Sequence, residues 1–409
     1  MLRWFPCARD VRRVLPGAPL TRAALLLAVS IAAYLVTRRL TDPSSIDLRV
    51  YRAEGAAVRA HLDIYADLHA PQALQATYPP FAACVFVPLT WLPAAWLPTA
   101  GLVVNLGLLI AVAHLSVRLA GSPAHGRAAA TMTVAAVVLW AEPVFTTLRN
   151  GQLNLLLLAL VLSDFVRPPR SRWMGVGIGL AAGLKVTPVI FIGYLAVTGR
   201  FRAAGTALAT FAATVAVSAV VVPDATRHYW SSLVFDSGRV GHIEDEGNQS
   251  LFGVLARVSH TALRTPTGTA VAVLIAVAGA ACAVFAGRRL GDRWGAPACA
   301  VVGLLVAPIA WTHHWVWLIP ISVLLWWHAR AWLVPTVVVF WSYLVWVPLH
   351  AHVGDELKFA APVVALSALY ALWGLAFLAL VATRTLHRSP APADAPQVPT
   401  GRPHPAKLT

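Results

Sequence analysis

Ionisable and hydrogen-bonding side chains are scarce enough in this sequence for each to be weighed singly. Residues 44–54 read Ser-Ser-Ile-Asp-Leu-Arg-Val-Tyr-Arg-Ala-Glu, and the apolar positions Ile46, Val50, Ala57 and Val58 recur near helical spacing. Ser44 and Ser45 are the expected N-caps of a short helix lying along a membrane surface. On that helix Asp47, Tyr51 and Glu54 share a face, and Asp47 falls in the first turn, where the helix dipole favours an ionised carboxylate. Such a group is either a general base at the membrane interface or a plain N-terminal helix acid, and spacing alone leaves both open. Tyr78-Pro79-Pro80 closes the same polar stretch, its prolines imposing an extended approach to the next apolar run. Arg149-Asn150-Gly151-Gln152-Leu153-Asn154 sets four hydrogen-bonding side chains at an apolar border, either as a ligand contact or as an Asn-Gly turn.

Lys185 is the only lysine in a stretch of apolar and small residues from Gly175 to Val197. An ionised group at that depth costs at least about 2.5 kcal/mol on insertion scales. It therefore faces a partner, a cavity or an anionic ligand, or else snorkels to the interface. A second polar stretch holds Asp236, Arg239, His242, Glu244, Asp245 and Glu246, followed by Gly247-Asn248-Gln249-Ser250-Leu251. Further on, His313 and His314 lie among Trp311, Trp315 and Trp317. Adjacent histidines on a helix point to different sides, which disfavours a two-histidine metal centre; one histidine beside an anionic leaving group is the more natural use. Cys7, Cys84, Cys282 and Cys299 are scattered without CxxC spacing, so neither a disulfide framework nor a zinc site is indicated; no cofactor is expected.

The elements that must position these groups follow from composition. Of 409 residues, 58% are apolar and 12% charged, with a mean hydropathy of +0.68. Ordinary soluble domains carry about 25% charged residues, so most of this chain faces lipid or other apolar chain. A soluble enzyme is excluded, and no repeat period supports a solenoid or propeller. Apolar runs near 23–37, 81–97, 100–118, 129–147, 153–166, 174–197, 203–222, 269–286, 295–310, 315–328, 331–349 and 361–383 predict an all-α polytopic membrane protein with about 10–12 transmembrane helices. A crossing needs about 20 residues, so 81–97, 153–166 and 315–328 are expected to be tilted, broken or re-entrant.

The 32 lysines and arginines outnumber the 17 acids, a net charge of +15, and the arginines sit mainly in short segments between apolar runs. Positive-inside topology and anionic headgroups account for them, so membrane lipids are expected partners and nucleic acid is not. Both flanks of 174–197 are basic, with Arg167, Arg170 and Arg172 before it and Arg200 and Arg202 after it. That conflict predicts either a helical break near Gly183–Pro188 or an exception to the charge rule, and no second such break is legible. The organisation read from these features is a basic cytoplasmic N-terminus over 1–21 with an uncleaved first span, a multi-span domain over 22–383, and a disordered Pro-rich cytoplasmic tail over 384–409. An even crossing count would put both termini in the cytoplasm; with the N-terminus inside, the polar stretch 38–80 is outside, and 223–267 reaches the same face if six further crossings separate the two.

Taken in order, Asp47 through Tyr51, Tyr78-Pro79-Pro80, Gly151-Gln152-Leu153-Asn154, Gly183-Leu184-Lys185-Val186-Thr187-Pro188, Gly247-Asn248-Gln249-Ser250-Leu251 and Pro308-Ile309-Ala310-Trp311-Thr312-His313-His314 together resemble glycosyltransferase family 87, of the glycosyltransferase C superfamily. The resemblance runs over residues 44–320, about two thirds of the chain. It implies a glycosyltransferase C type fold in the plasma membrane, with exterior loops forming an extracytoplasmic active site. It also implies a polyprenol-phosphate-mannose-dependent α-1,2-mannosyltransferase of the actinobacterial envelope, acting on a phosphatidylinositol mannoside or lipomannan-type glycolipid acceptor. By motif match Asp47 is the base and the histidine pair matches the residue near the donor phosphate, with His314 taken over His313. Lys185, Arg149, Gln152, Asn154, Tyr51, Tyr78, Asn248 and Gln249 are the further candidates for the donor phosphate and substrate. Ala310 stands where the family pattern more often has serine.

Transfer from a β-linked lipid phosphate to an α-mannoside inverts the anomeric carbon, which calls for a single displacement with one base opposite the leaving phosphate. No acidic cluster suggests a nucleotide-sugar metal site, so metal-independent chemistry is expected. A flippase for a lipid-linked sugar would also need polar groups in the membrane. A transferase of arabinofuranose or glucose would share the architecture, and nothing in the sequence reads out the sugar hydroxyls.

Overall fold

The computed structural model describes residues 20–41, 44–66, 75–168, 170–262, 265–347 and 355–387. The basic arm before Leu20 and the Pro-rich tail after His387 lie outside the described residues. The chain is an all-α polytopic membrane protein. Among the described residues there is no strand, only an isolated bridge between Asn248 and Trp311.

The first apolar run forms α1 (Leu20–Leu40), whose Arg38 and Arg39 stand in the last turn, where a helix C-terminus favours positive charge. The expected amphipathic helix follows as α2 (Ile46–Arg59). Its cap differs from expectation. Ser45 occupies the N-cap with a left-handed backbone (φ 41°) and caps nothing, because its hydroxyl accepts from Arg38 Nη2 at 3.2 Å and its amide donates to the Arg149 carbonyl at 3.0 Å. Pro79, extended at φ −56° and ψ 151° as the sequence predicts, leads into α3 (Pro80–Phe86), with Pro80 at the first helical position. Gly55 lets α2 lie directly on α3, since a Cβ there would sit 2.6 Å from the Phe86 carbonyl oxygen.

Next come α4 (Leu97–Leu119), α5 (Arg127–Val138), α6 (Glu142–Asn150) and α7 (Asn154–Phe165). The Asn-Gly turn is present: Gly151 closes α6 at φ +75°, and a Cβ there would lie 2.8 Å from Leu48 Cβ, so the turn also lets α2 approach. The break near Lys185 is present too. Helix α8 (Val176–Leu184) ends at an extended Lys185 (φ −152°, ψ 133°), and α9 (Val189–Val197) starts after Pro188. That break is not alone, contrary to the sequence reading: α5 and α6 meet at 80°.

The remainder comprises α10 (Phe201–Val221), α11 (Pro223–Ser231), α12 (Leu251–Val258), α13 (Pro266–Leu290), α14 (Asp292–Val306), a 3-10 turn over Thr312–Trp317, α15 (Leu318–His328), α16 (Leu333–Trp341), α17 (Ala361–Ser367) and α18 (Leu369–His387). Among the described residues five helices, α1, α4 with the turn before it, α10, α13 and α18, are long and apolar enough to cross a membrane; the bent α5–α6 pair makes six if taken as one span. The other apolar runs form shorter or interrupted helices. Interruptions expose backbone groups that need partners, and the partners are polar side chains clustered around one cavity. Behind the 3-10 turn, Trp315 packs on Tyr370 (ring centroids 5.9 Å apart), Tyr370 on Phe340 (4.4 Å) and Phe340 on Trp373 (4.9 Å), a rigid aromatic wall that fixes the turn from one side.

Candidate active site

A cavity of about 360 Å³ opens where α2, the stretch ending in Tyr78-Pro79, the break at Lys185–Thr187, the segment 229–240 and the segment 307–314 converge. Both long polar stretches singled out in the sequence, 38–80 and 223–267, therefore contribute to one site with the Lys185 break and the histidine segment. Asp47, Tyr51, Tyr78, Gln152, Lys185, His313 and His314 line it together.

Asp47 stands in the first turn of α2. Burial raises its pKa to about 6, against the opposing pull of the Gln152 side chain and the Lys185 charge. Gln152 is oriented by two phenols: its Oε1 accepts from Tyr51 at 3.0 Å and from Tyr78 at 3.2 Å, while the two hydroxyls lie 2.9 Å apart. Its amide group is thereby left for the carboxylate. Two turns further along α2, Glu54 is 1% exposed with one carboxyl oxygen unpartnered, and burial followed by the Asp47 charge pushes its pKa up to about 8. At neutral pH Glu54 is held mostly neutral, leaving Asp47 as the ionised member of the pair.

Lys185 crosses the cavity to His314, with Nζ 2.8 Å from Nε2, and its ammonium lies 5.4 Å from the centre of the Tyr78 ring. An ammonium has no acceptor, so His314 Nε2 accepts and its proton sits on Nδ1. His313 packs edge-on against His314 with centroids 4.8 Å apart, and its Nε2 is buried without a hydrogen-bond partner. The expectation that the two rings serve different sides fails here: both line the cavity, where the chain enters the 3-10 turn over 312–317.

Four candidates sit elsewhere. Arg149 is exposed at the end of α6 and does not line the cavity; only its backbone carbonyl takes part, accepting from Ser45. Asn154 is buried and donates to the His313 carbonyl at 3.0 Å, so it holds the histidine turn from behind. Asn248 is fully buried with its amide group given to the carbonyls of Ile243 and Pro308 and its oxygen receiving the amides of Ser250 and Ala310. Gln249 is likewise committed, donating to the Glu246 and Ser367 carbonyls and accepting from the Tyr370 amide. These two side chains replace secondary structure where the chain is irregular, and both are fully buried outside the lining of the cavity.

Two groups were given no role by the sequence reading. Arg239 lines the cavity, held by Gln75 Oε1 at 3.1 Å and the Ala76 carbonyl at 3.2 Å, with its guanidinium 5.4 Å from the Tyr65 ring centre. Glu142 is fully buried behind the histidines. Its Oε1 accepts from Thr146 (2.8 Å), Thr312 (2.9 Å) and Trp346 Nε1 (3.0 Å), and its Oε2 from the Tyr370 hydroxyl (2.7 Å). The signal for Glu142 was legible: it is the lone carboxylate of the apolar run 129–147. Among the described residues no group of three or more His, Cys, Asp or Glu side chains is placed to hold a metal ion.

The arrangement offers a partly desolvated carboxylate facing a cation and two imidazoles, on irregular backbone tied down by buried amides. Its sequence counterpart is specific, since residues 76–309 match the model of glycosyltransferase family 87. The chain belongs to glycosyltransferase family 87. It is 38% identical over 322 residues, 75% of this chain and 73% of the other, to a Mycobacterium tuberculosis (strain CDC 1551 / Oshkosh) protein named polyprenol-phosphate-mannose-dependent alpha-(1-2)-phosphatidylinositol pentamannoside mannosyltransferase. A Mycolicibacterium smegmatis protein of the same name is 35% identical over 74% of each chain. A second M. tuberculosis protein (strain ATCC 25618 / H37Rv), named as the corresponding phosphatidylinositol mannoside mannosyltransferase, is 33% identical over 68% of this chain and 69% of its own. No solved structure gives a significant match. Family membership agrees with the resemblance read from the ordered motifs.

Proposed function

We propose that this family 87 protein moves mannose from a polyprenyl-phosphate donor to a phosphatidylinositol mannoside acceptor, forming an α-1,2 linkage by a single inverting displacement at the extracytoplasmic face of the plasma membrane. The observation that carries the chemistry is the convergence of Asp47 and the Lys185–His314 pair on one cavity. The substrate classes rest on the names of the relatives.

In this reading Asp47 takes the proton of the acceptor hydroxyl as that oxygen bonds to the anomeric carbon. The bond from the anomeric carbon to the phosphate oxygen breaks at the same time, and its electron pair leaves with the lipid phosphate. A base works best with a pKa near the working pH, and Asp47 at about 6 is stronger than an ordinary carboxylate yet mostly ionised at neutrality. Lys185 and the histidines meet the charge that develops on the departing phosphate, where a cavity screened from water makes such contacts count. The test is transfer in vitro with purified protein, radiolabelled polyprenyl-phosphate mannose and a panel of mannosylated lipids, the product linkage being determined. Transfer to a phosphatidylinositol mannoside is expected. Movement of the intact lipid-linked sugar across proteoliposomes, with no new glycosidic bond, would replace this reading with a flippase.

A further inference from the structure

Helices α14, α15 and α18 each begin or end at the cavity and run away from it. Helix α14 leads into the segment 307–314, α15 follows the histidine turn, and the first turn of α18 reaches Glu142 through Tyr370. Their far ends meet around the buried indole of Trp294, the length of the 15-residue α14 away, or about 22 Å at 1.5 Å per residue. The Arg384 guanidinium lies 5.2 Å from the Trp294 ring centre, and the His328 ring 6.2 Å from it. Arg293 stands next to Trp294 in α14. Its Nε donates to the Leu290 carbonyl at 3.4 Å, and its Nη1 reaches the turn between α4 and α5, 4.0 Å from where a Cβ on Gly121 would lie.

This cluster is electrostatically incomplete. Arg384 is half-buried with five N–H donors, and among the described residues its guanidinium makes no hydrogen bond or ion pair, only the contact with Trp294. His328 Nε2 is buried without a hydrogen-bond partner. The charges that act on the His328 ring are those of Arg293 and Arg384, with no carboxylate among them. The described residues place two carboxylates at this end of the bundle, and both are committed elsewhere. Asp164 accepts from the Ile178 amide at 2.8 Å and faces Arg167 at 3.5 Å; Asp292 accepts from Arg200 at 2.6 Å and from the Tyr194 hydroxyl at 2.9 Å.

We propose that Arg384 and Arg293, over the floor made by Trp294, bind the phosphate of an anionic phospholipid at the end of the bundle opposite the catalytic cavity. A guanidinium is planar and presents its donors as a fork that matches a phosphate, so an anion of this geometry satisfies several of the Arg384 donors at once. It also offsets the field of two guanidiniums at His328. The surroundings favour a lipid over a soluble phosphate. Leu386, two residues beyond Arg384, and Trp326, two residues before His328, are both exposed, so apolar surface for acyl chains begins where the basic cluster ends. Basic pockets between helices at a membrane border take lipid headgroups for this reason. The site stands apart from the mannosyl-transfer reading, since it shares no residue with the cavity.

The test titrates the purified full chain in detergent with dioleoyl phosphatidylglycerol or dioleoyl phosphatidylcholine and counts bound lipid by native mass spectrometry. The first phosphatidylglycerol should bind at least about tenfold more tightly than the first phosphatidylcholine. Arg384→Gln should weaken that phosphatidylglycerol about tenfold or more, as loss of hydrogen bonds to a charged phosphate implies, and leave phosphatidylcholine unchanged. Arg384→Lys, which keeps the charge and loses the fork, should lose less. Arg170 and Arg172 are exposed arginines away from the cluster, and replacing both by glutamine should leave the preference intact. Inorganic phosphate at millimolar concentration should not displace the lipid. Equal affinity for the two lipids, a folded Arg384→Gln protein that binds like the wild type, or an equal loss from the Arg170 and Arg172 changes would each overturn the proposal, the last by showing that the attraction is diffuse surface charge. Displacement by inorganic phosphate would overturn it in favour of a soluble anion. Should Arg384→Gln fail to fold, a phosphatidylglycerol with a diazirine in its headgroup keeps the question decidable in the wild type. Adducts are expected on peptides holding Arg293, His328 and Arg384, and labelling confined to other peptides would overturn the assignment.

Discussion

Lys185 and His314 are 129 residues apart in sequence, and their side-chain nitrogens are 2.8 Å apart in the structure. The contact is made by two interruptions, the extended backbone at Lys185 and the 3-10 turn at 312–317, each of which aims a side chain that a continuous helix would have turned elsewhere. If the pair acts on the donor phosphate, Lys185→Met and His314→Ala should each lower kcat/KM for the donor about ten- to hundredfold, the cost of a lost hydrogen bond to charge of about 1.5–3 kcal/mol. The acceptor KM should stay nearly constant. Steady-state kinetics with donor and acceptor varied separately checks this, and a defect confined to the acceptor KM would move both residues to the acceptor side.

Asp47 makes an opposed prediction for activity and stability. Asp47→Asn keeps the shape and removes the base, so turnover should fall to a few per cent of wild type or less. Because folding raises the Asp47 pKa from 3.8 to about 6, ionising it costs the folded state more than the unfolded one. That cost is absent below about pH 4, grows as pH rises, and is complete above about pH 6. The asparagine protein should therefore unfold at a higher temperature than wild type at pH 7.5, by up to about 3 kcal/mol of stability, and match it near pH 4. In wild type, kcat/KM should fall as pH drops through about 6, and Lys185→Met should move that limb upward, since the Lys185 charge lowers the Asp47 pKa. Thermal unfolding and pH–rate profiles of the purified proteins decide both points.

Much of this site was legible because intramembrane polarity is costly. Lys185, the break around it, the Asn-Gly turn and the meeting of the polar stretches 38–80 and 223–267 all follow from asking where groups in an apolar chain find partners. Asn248 and Gln249 were misassigned by the same logic, because a polar side chain in a membrane protein can serve a ligand or an irregular backbone, and composition does not distinguish the two. The joint placement of His313 and His314 was illegible, as it depends on how the segment 307–314 runs along the cavity, which sequence spacing does not give.

The misassignment can be checked. Asn248→Ala removes four hydrogen bonds and leaves the Ile243 and Pro308 carbonyls and the Ser250 and Ala310 amides short of partners. Its effect should be a lowered unfolding temperature, equivalent to several kcal/mol at about 1–3 kcal/mol per unsatisfied group. Donor and acceptor KM of the protein that remains folded should match wild type. A normal unfolding temperature with a raised KM would return Asn248 to the substrate.

Sidedness is open to labelling. Segments 38–80 and 223–267 contribute to one cavity, and the proposed function puts that cavity outside the cytoplasm. Asp63 and Ser231 are exposed, each two residues in sequence from a cavity-lining tyrosine (Tyr65 and Tyr229), whereas Ser45 is 2% exposed and would resist a probe on burial alone. In a background with the natural cysteines replaced, Asp63→Cys and Ser231→Cys should both react with a membrane-impermeant maleimide in intact cells. Reaction only after the cells are opened would put the site on the cytoplasmic face.

Glu142 contacts no lining of the cavity, yet it accepts from Thr312, the residue before the histidine pair, and Thr147 and Asn154 hold the next carbonyl along, that of His313. Helix α6 and the start of α7 thus grip the turn at successive residues, and the carboxylate is the deepest of these points, with donors from four different residues. Glutamine in its place keeps the volume but turns one acceptor into a donor facing donors, so Glu142→Gln should lower stability and misplace the turn. Thr312→Val removes the single link between the carboxylate and the turn while sparing the other three bonds. If Glu142 positions His313 and His314 through Thr312, both variants should lower donor kcat/KM without changing the acceptor KM, and the double variant should lose less than the sum, with a coupling of about 0.5–3 kcal/mol on that parameter. Thr312→Ser, which restores the hydroxyl, should recover wild-type rates. A carboxylate that merely braces the fold would lower the unfolding temperature in Glu142→Gln yet leave Thr312→Val catalytically normal and the two changes additive, and that outcome would release Glu142 from any part in placing the histidines.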